Sequence, residues 1–372
     1  MQKQILIDHH AHALREGFLQ LDAIGLRQAF SEARSLIQLE RHLPHTLSYM
    51  DCLAKLGKFL DVNGEEQILQ LRERMNESEY CNILLDDASI GAFIIDDGFK
   101  MMPTAAFARI CERPVFRCCR IESSLQEAMI ESETFESLEK SFPSKLLDSK
   151  EFKLVGLKTI AAYRGGLEIK LAKRDEAKAD FRAAKESLLQ DGKSRITRGE
   201  MYHYFLTQAF ILAQQSNLPV QIHCGIGDQD EDLRLANPLC MREVLESPRF
   251  SKTKFVFLHC YPYVREAAYL CSIYPNVYMD ISLVSFQASP AVSGCFRDAL
   301  SVAPASKILA STDGHSVPET YWYGAQMLKH GLAHCLDQLI AEEFVTAAAA
   351  SEIAGQILHG NARELYDLEG LK

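Results

Sequence analysis

The feature that most constrains this chain is a regular alternation of short apolar runs with longer amphipathic segments over its 372 residues. Most runs are continuously apolar, which is typical of strands buried on both faces of a parallel sheet. Strands separated by helical segments indicate βαβ units. Eight runs can be recognised, at residues 5–8, 92–96, 115–121, 153–160, 219–223, 255–259, 277–280 and 308–311. Eight such units predict an α/β fold, a (β/α)8 barrel.

Two regions exceed what a bare barrel needs. Residues 14–80, between the first two predicted strands, have the pattern of several helices, and residues 170–200 are highly charged. Neither region contains the Pro/Gly/Ser-rich linker that separates independent domains. We therefore predict one domain over residues 1–372, a distorted barrel with helical insertions. An insertion after the first strand emerges at the C-terminal face of a barrel, so residues 14–80 are a candidate lid or pocket wall.

Composition excludes several classes of function. There are 40 basic and 50 acidic residues, a net charge of −10, and no cluster of Lys and Arg forms the basic face that nucleic-acid binding requires. No apolar stretch approaches the roughly 18 residues of a membrane span, and the N-terminal residues lack a signal-peptide core. The eleven cysteines include no C-x-x-C pair and are expected to be buried and reduced. We expect a cytoplasmic protein that binds no nucleic acid or membrane, and a homodimer on base rates alone.

Side chains that can bind a metal collect where the predicted strands end. Six of them fall at the C-terminal ends of five strands: His10, His12, Lys158, His223, His259 and Asp313. Each alone has an ordinary structural explanation, such as a hydrogen-bonded core histidine, a snorkelling lysine or an Asp-Gly turn. Their conjunction is different, because imidazole and carboxylate are the ligands of divalent metals such as Zn²⁺. His10 and His12 also lie two residues apart, so their side chains share a face of the strand.

The same residues carry a resemblance to a known family. The order Asp8-x-His10-x-His12, Lys158, His223, His259, Asp313 resembles the amidohydrolase superfamily, metal-dependent hydrolases on a distorted (β/α)8 barrel. More narrowly, the chain resembles the second amidohydrolase family, and within it the N-terminal domain of nodulin/glutamine-synthetase-like fusion proteins. Four segments carry this likeness, at residues 156–167, 221–225, 311–319 and 359–363.

The resemblance implies a role for each histidine of the set. His10 and His12 would bind a first divalent ion, and His223 and His259 a second. Zinc is the first expectation for the metal, although the same ligands also suit Mn²⁺, Fe²⁺ and Ni²⁺. Many members of the second amidohydrolase family hold a single ion, so one or two ions per chain are both open.

The resemblance also implies roles for Lys158 and Asp313. Lys158 matches a lysine that reacts with CO2 to form a carbamate bridging both ions. Asp313 would contact the first ion and act as general base and then general acid. The spacing between Lys158 and His223 requires the charged insertion within that βα unit, and an unmodified Lys158 that serves the substrate stays open as the alternative.

This chemistry predicts hydrolysis of an amide-like C–N bond, with ester or lactone cleavage within reach of the same site. The resemblance to the nodulin/glutamine-synthetase-like group implies a small-molecule substrate, a γ-glutamyl amide or a similar small carboxylated amide. Tyr163, Arg164, His315 and Glu319 are predicted to bind it, and Arg164 suits a carboxylate because a guanidinium binds one with two parallel hydrogen bonds. Each of these four side chains also has an ordinary structural explanation.

Two other functions are compatible with parts of this residue set. The first is a mononuclear-metal, non-oxidative decarboxylase of a small carboxylic acid, a lyase in which Lys158 has no required role. The second is a metal-stabilised domain without catalysis. The full set of six candidate ligands disfavours the second, because a structural metal site needs only four closed ligands.

Overall fold

The centre of the molecule is a sheet of seven parallel strands that pair in the order of the chain. The computed structural model describes residues 4–99, 101–148, 151–190, 196 and 199–368. The strands are β1 Leu6–Ala11, β2 Ile90–Asp96, β3 Val115–Arg120, β4 Leu154–Thr159, β5 Val220–Cys224, β6 Phe255–His259 and β7 Val277–Met279. The predicted apolar runs coincide with these strands to within a few residues. Consecutive parallel pairing brings all C-terminal strand ends to one edge of the sheet.

The prediction of an eighth strand at residues 308–311 is wrong. A single bridge pairs Ile308 with Met279, and the N–H of Leu309 donates to the carbonyl of Met279 at 2.8 Å. The run is buried as the sequence predicts, but its backbone leaves the ladder after this contact. Apolar character therefore identified a buried segment there, and not a regular strand.

The segment that follows reaches β1 on the other side and closes the sheet into a barrel. The N–H of Asp313 donates to the carbonyl of His10 at 3.0 Å, and the N–H of His12 donates to the carbonyl of Gly314 at 2.9 Å. Asp313 has a φ of 57°, in the left-handed region that non-glycine residues seldom adopt. This turn explains why the closing segment cannot pair as a regular strand.

Helices follow the strands around the outside of the barrel. Their bounds are α1 Ala23–Gln28, α2 Leu47–Leu60, α3 Gly64–Arg72, α4 Glu77–Asp87, α5 Thr104–Cys111, α6 Ile121–Glu131, α7 Phe135–Leu146, α8 Arg174–Gln190, α9 Glu200–Gln215, α10 Arg242–Glu246, α11 Val264–Ile273, α12 Val284–Gln287, α13 Val292–Leu300, α14 Pro318–Ala341, α15 Ala347–Gly355 and α16 Asn361–Leu365. Residues 14–80 contain α1, α2, α3 and the start of α4. The charged region 170–200 contains α8, and its residues 191–195, 197 and 198 lie outside the described part of the chain.

The end of the chain supports the barrel from within. Apolar side chains of six barrel segments form a buried cluster with Leu365, Tyr366 and Leu368, separate from the main core. The hydroxyl of Tyr366 lies 2.9 Å from the amide nitrogen of Gln221 and 3.3 Å from Nδ1 of His9. The C-terminal residues therefore pack beneath the polar side chains that line the C-terminal end of the barrel.

Two further expectations can be compared with the fold. All eleven cysteines are free, as the absence of paired spacing predicted, and all except Cys240 are buried. Among the described residues, none of the helices combines the length and the apolar character that crossing a bilayer would require.

Candidate metal centre

Three predicted ligands converge at the junction of β1 and the closing segment. His10, His12 and Asp313 each place one ligand atom within 4.8 Å of the other two, and all three are buried. Nε2 of His10 lies 3.1 Å from Oδ1 of Asp313, and Nε2 of His12 lies 3.3 Å from the same oxygen. Two ligands of one tetrahedral ion, each about 2.0–2.2 Å from it, are separated by roughly 3.4 Å. The three side chains can therefore hold a divalent ion.

The rings of both histidines are oriented by hydrogen bonds on the opposite nitrogen. Nδ1 of His10 lies 2.8 Å from Oε1 of Gln221, and Nδ1 of His12 lies 3.4 Å from the backbone oxygen of Asp96. A ring that donates from Nδ1 keeps the lone pair of Nε2 for a metal. Gln221 is held in turn, because its amide nitrogen donates to the carbonyl of His9 at 2.7 Å.

The electrostatics of this cluster also fit an ion. Burial, reinforced by the nearby Lys158, lowers the pKa of His10 to about 4, so its ring is neutral as a metal ligand must be. Burial alone would raise the pKa of the Asp313 carboxyl, but the rings of His259 and His10 hold that pKa well below its usual range. Oδ1 of Asp313 is buried without a hydrogen-bond partner in the described part of the chain. A buried acceptor of this kind requires a partner, and a cation would supply it.

Lys158 lies beside this cluster. Its Nζ is 3.5 Å from Nε2 of His10, and its side chain is almost fully buried on β4. Burial lowers the pKa of the Lys158 ammonium. Because only a neutral amine can react with CO2, this environment favours the predicted carbamate, which remains a prediction.

His259 lies on the other side of Asp313. Its Nδ1 is 2.7 Å from Oγ of Ser282 and 3.7 Å from Oδ2 of Asp313. Its backbone has a φ of 67°, and its N–H donates to Oδ1 of the buried Asp280 at 2.7 Å. Residues held in such sparsely populated conformations cluster at functional sites. The strained backbone thus aims His259 into the cluster.

His223 is the penultimate residue of β5, and its ring centroid lies 4.5 Å from that of His259. The ring of the predicted substrate residue Tyr163 lies 4.4 Å from that of His223. Nε2 of His223 lies 3.4 Å from Oε2 of Glu231, which the sequence analysis did not single out. The barrel therefore gathers all six predicted ligands at one end, in a preformed group of three and a neighbouring group around His223.

The other predicted substrate residues differ in position. His315 lies between Phe99 and Phe286, with ring centroids 6.1 and 5.9 Å away, and burial lowers its pKa to about 4. Arg164 is partly buried and donates from Nη1 to the carbonyl of Tyr163 at 3.3 Å. His315 and Tyr163 thus border the cluster of histidines, and the substrate role of Arg164 stays a prediction.

Glu319 departs from the expectation. Its carboxylate is fully buried, 2.8 Å from Nε of Arg72 and 2.7 Å from the hydroxyl of Tyr80. These contacts join the start of α14 to the helices of the 14–80 region. The predicted substrate role of Glu319 is not supported, because its carboxylate is engaged with the protein and shielded from solvent.

The structure also brings forward residues that the sequence analysis missed. Glu32, from the 14–80 region, accepts a hydrogen bond from Nε2 of Gln287 at 3.0 Å. Burial, and after it the charge of Asp313, raises the pKa of Glu32 to about 7. Gln221 could have been found, since it lies two residues before His223 on the same strand face. The only sequence feature that points to Glu231 is its place in an acidic loop directly after β5. No sequence feature points to Glu32.

A barrel with a His-His-Asp cluster at its C-terminal end is the arrangement that the resemblance to metal-dependent amidohydrolases predicts. Residues 168–368 match the amidohydrolase family of the second type. A solved structure from Lactobacillus casei, described as a metal-dependent hydrolase, is 31% identical, with a TM-score of 0.89 over 99% of this chain and 96% of that one. The chain belongs to the amidohydrolase family, which confirms the resemblance found in its sequence.

Two other relatives set the limits of the comparison. Protein fluG of Emericella nidulans is 26% identical over 405 residues, covering 99% of this chain and 46% of fluG. The chain thus spans about half the length of this curated relative. The uronate isomerase of Thermotoga maritima is 14% identical, with a TM-score of 0.71 over 98% of this chain and 95% of that one. It shares the fold and confirms the barrel architecture.

Proposed function

We propose that this chain hydrolyses an amide-like C–N bond of a small carboxylated substrate of γ-glutamyl type, with esters or lactones open to the same chemistry. The observation that carries the proposal is the convergence of His10, His12 and Asp313 at the C-terminal end of the barrel, where the active sites of this fold lie. Their imidazole and carboxylate groups suit zinc, the ion we propose.

The chain's own residues divide the work as follows. His10 and His12 present Nε2 atoms, and a divalent ion held there would supply Lewis acidity for water and for the substrate carbonyl. Asp313, ionised at neutral pH, accepts the proton of the attacking water on a carboxylate oxygen. It then returns that proton to the departing nitrogen, so that general base and general acid are the same group.

The substrate would be held by residues that border the cluster. Tyr163 and His315 lie at its edge, and we propose that they contact the acyl part of the substrate. Arg164 is proposed for the substrate carboxylate, because a guanidinium binds carboxylates with two parallel hydrogen bonds.

The proposal is tested by hydrolysis of a panel of γ-glutamyl and other N-acyl amides, with amine release measured for zinc-loaded protein and for Asp313→Asn. Amine release that the substitution abolishes is the expected result. If the zinc-loaded protein hydrolyses no amide of the panel, the proposed amide hydrolysis is wrong. If both proteins hydrolyse an amide equally fast, the proposed role of Asp313 is wrong.

The decarboxylase alternative keeps one specific observation in its favour, the preformed group of three ligands suited to a single ion. It predicts release of CO2 from small carboxylic acids by the same protein, without any amine product. Measuring both products in the same panel separates the two functions.

A further inference from the structure

His223 and Glu231 repeat the pattern of the three-ligand cluster at a second point. Their side chains are 5% and 3% exposed, and neither Nε2 of His223 nor either oxygen of Glu231 has a hydrogen-bond partner in the described part of the chain. Oδ1 of Asp313 shares this property in the first cluster. A carboxylate buried without a partner costs several kcal/mol in order of magnitude. The position of Glu231 therefore calls for a cation.

The spacing of the pair matches that of two ligands of one ion. Nε2 of His223 lies 3.4 Å from Oε2 of Glu231, while the corresponding distances from His10 and His12 to Asp313 are 3.1 and 3.3 Å. About 3.4 Å separates two ligands of a tetrahedral ion. The pair does not satisfy hydrogen-bond geometry, so direct pairing of the two groups leaves both unsatisfied.

A third polar atom faces the same point. A Cβ added to Gly227 would lie 2.0 Å from the hydroxyl of Tyr163, 2.6 Å from Oε2 of Glu231 and 2.7 Å from Nε2 of His223. Phenol, carboxylate and imidazole thus surround one small volume that a glycine leaves open. One nitrogen and two oxygens form a donor set suited to a divalent metal ion.

We propose that Glu231 is a ligand of the second divalent ion that the family resemblance places at His223, with the hydroxyl of Tyr163 facing the same point. Glu231 would then supply the negative charge that the resemblance assigns at this ion to a carbamate on Lys158. The inference rests on the metal dependence of the proposed function but not on the bond that is cleaved, so it can be tested without any substrate.

The experiment counts ions on the whole chain. Metal-free protein is titrated with Zn²⁺ by calorimetry, and bound zinc is measured by mass spectrometry after desalting. We expect two ions on the unaltered protein and one on Glu231→Gln, with the second affinity lowered by at least about 100-fold. Asp228→Asn is the matched control, since it makes the same change of charge in the same loop, and it should keep both ions, with the second affinity lowered by no more than a few fold.

A second variant tests the same volume by a different route. In Gly227→Ala the new methyl group would stand among the three donor atoms, so the second ion should be lost while the carboxylate remains. Retention of the first ion and an unchanged circular dichroism spectrum would show that both variants fold.

Several results would overturn the proposal. The first two are a single ion on the unaltered protein and two ions of unchanged affinity on Glu231→Gln. The third is loss of the second ion in Asp228→Asn as well as in Glu231→Gln. The fourth is loss of the second ion in Lys158→Met but not in Glu231→Gln. Failure of the proposed hydrolysis would leave the ion count unchanged, so the two failures can be told apart.

Discussion

The two groups of candidate ligands at the end of the barrel are built in different ways. His10, His12 and Asp313 lie on the first strand and on the closing segment, which are joined by backbone hydrogen bonds. In the second group, His223 lies on β5, whereas Glu231 lies in the loop that follows this strand. The first cluster therefore has its geometry set by the barrel, whereas the second depends on how one loop is held. We expect the first to tolerate loop substitutions and the second to be sensitive to them.

The largest expected effect is on the first cluster. Asp313→Asn should lower turnover by about 10²–10⁴-fold, because the group proposed to move the proton loses its basicity. Steady-state rates and bound zinc are measured on the same samples. Turnover near that of the unaltered protein, with zinc retained, would contradict the proposed role.

The next effect separates the two clusters through Gln221. Gln221→Met removes the acceptor that orients His10, so the affinity of the first ion should fall by about 10–100-fold. Competition with a chelator gives both affinities, and the second ion should be unaffected. Tyr366→Phe is the control, since it removes contacts behind Gln221 and His9 but leaves the acceptor for His10 in place, and it should change the first affinity less.

A smaller effect concerns the pH dependence of stability through Glu32. In the folded protein its pKa is raised from 4.5 to about 7, mainly by burial and then by Asp313, so folding takes up a proton between these values. The free energy of unfolding of the metal-free protein should thus fall as pH rises from about 4.5 to 7, by up to about 1.4 kcal/mol per pH unit from this group.

Glu32→Gln removes that contribution. Relative to the unaltered protein, the variant should gain stability progressively from pH 5 to 7 and keep the gain at pH 8, with other carboxyl groups cancelling in the difference. Denaturant unfolding at several pH values measures this. A difference that does not vary with pH would show that Glu32 is not held in the acidic environment described.

The smallest effect tests the loop that carries Glu231. Arg34 is about half exposed and pairs with Asp228 and Asp230 at 3.4 and 2.9 Å. Arg34→Ala should cost no more than about 1 kcal/mol of stability, as exposed ion pairs contribute little. It should nevertheless weaken the second ion by a few fold and leave the first unchanged, which calorimetry can resolve. Equal weakening of both ions would argue against the difference between the clusters.

Much of the fold could be predicted because burial of apolar runs is a property of local sequence. The strands β1 to β7 coincide with continuous apolar segments, and a parallel sheet brings their C-terminal ends together. The eighth strand was predicted wrongly, since Ile308 is buried like a strand residue while the backbone turns away to place Asp313. Apolar character does not report a left-handed backbone.

The candidate site divides in the same way. The sequence by itself determined which imidazole, carboxylate and amine groups end the strands, because residue order on a strand sets which side chains share a face. Only the tertiary structure decided that Glu319 pairs with Arg72, that Glu32 accepts a hydrogen bond from Gln287 and that Glu231 lies beside His223. Those positions depend on long-range packing of loops and inserted helices, whose paths are set by contacts between residues far apart in the chain.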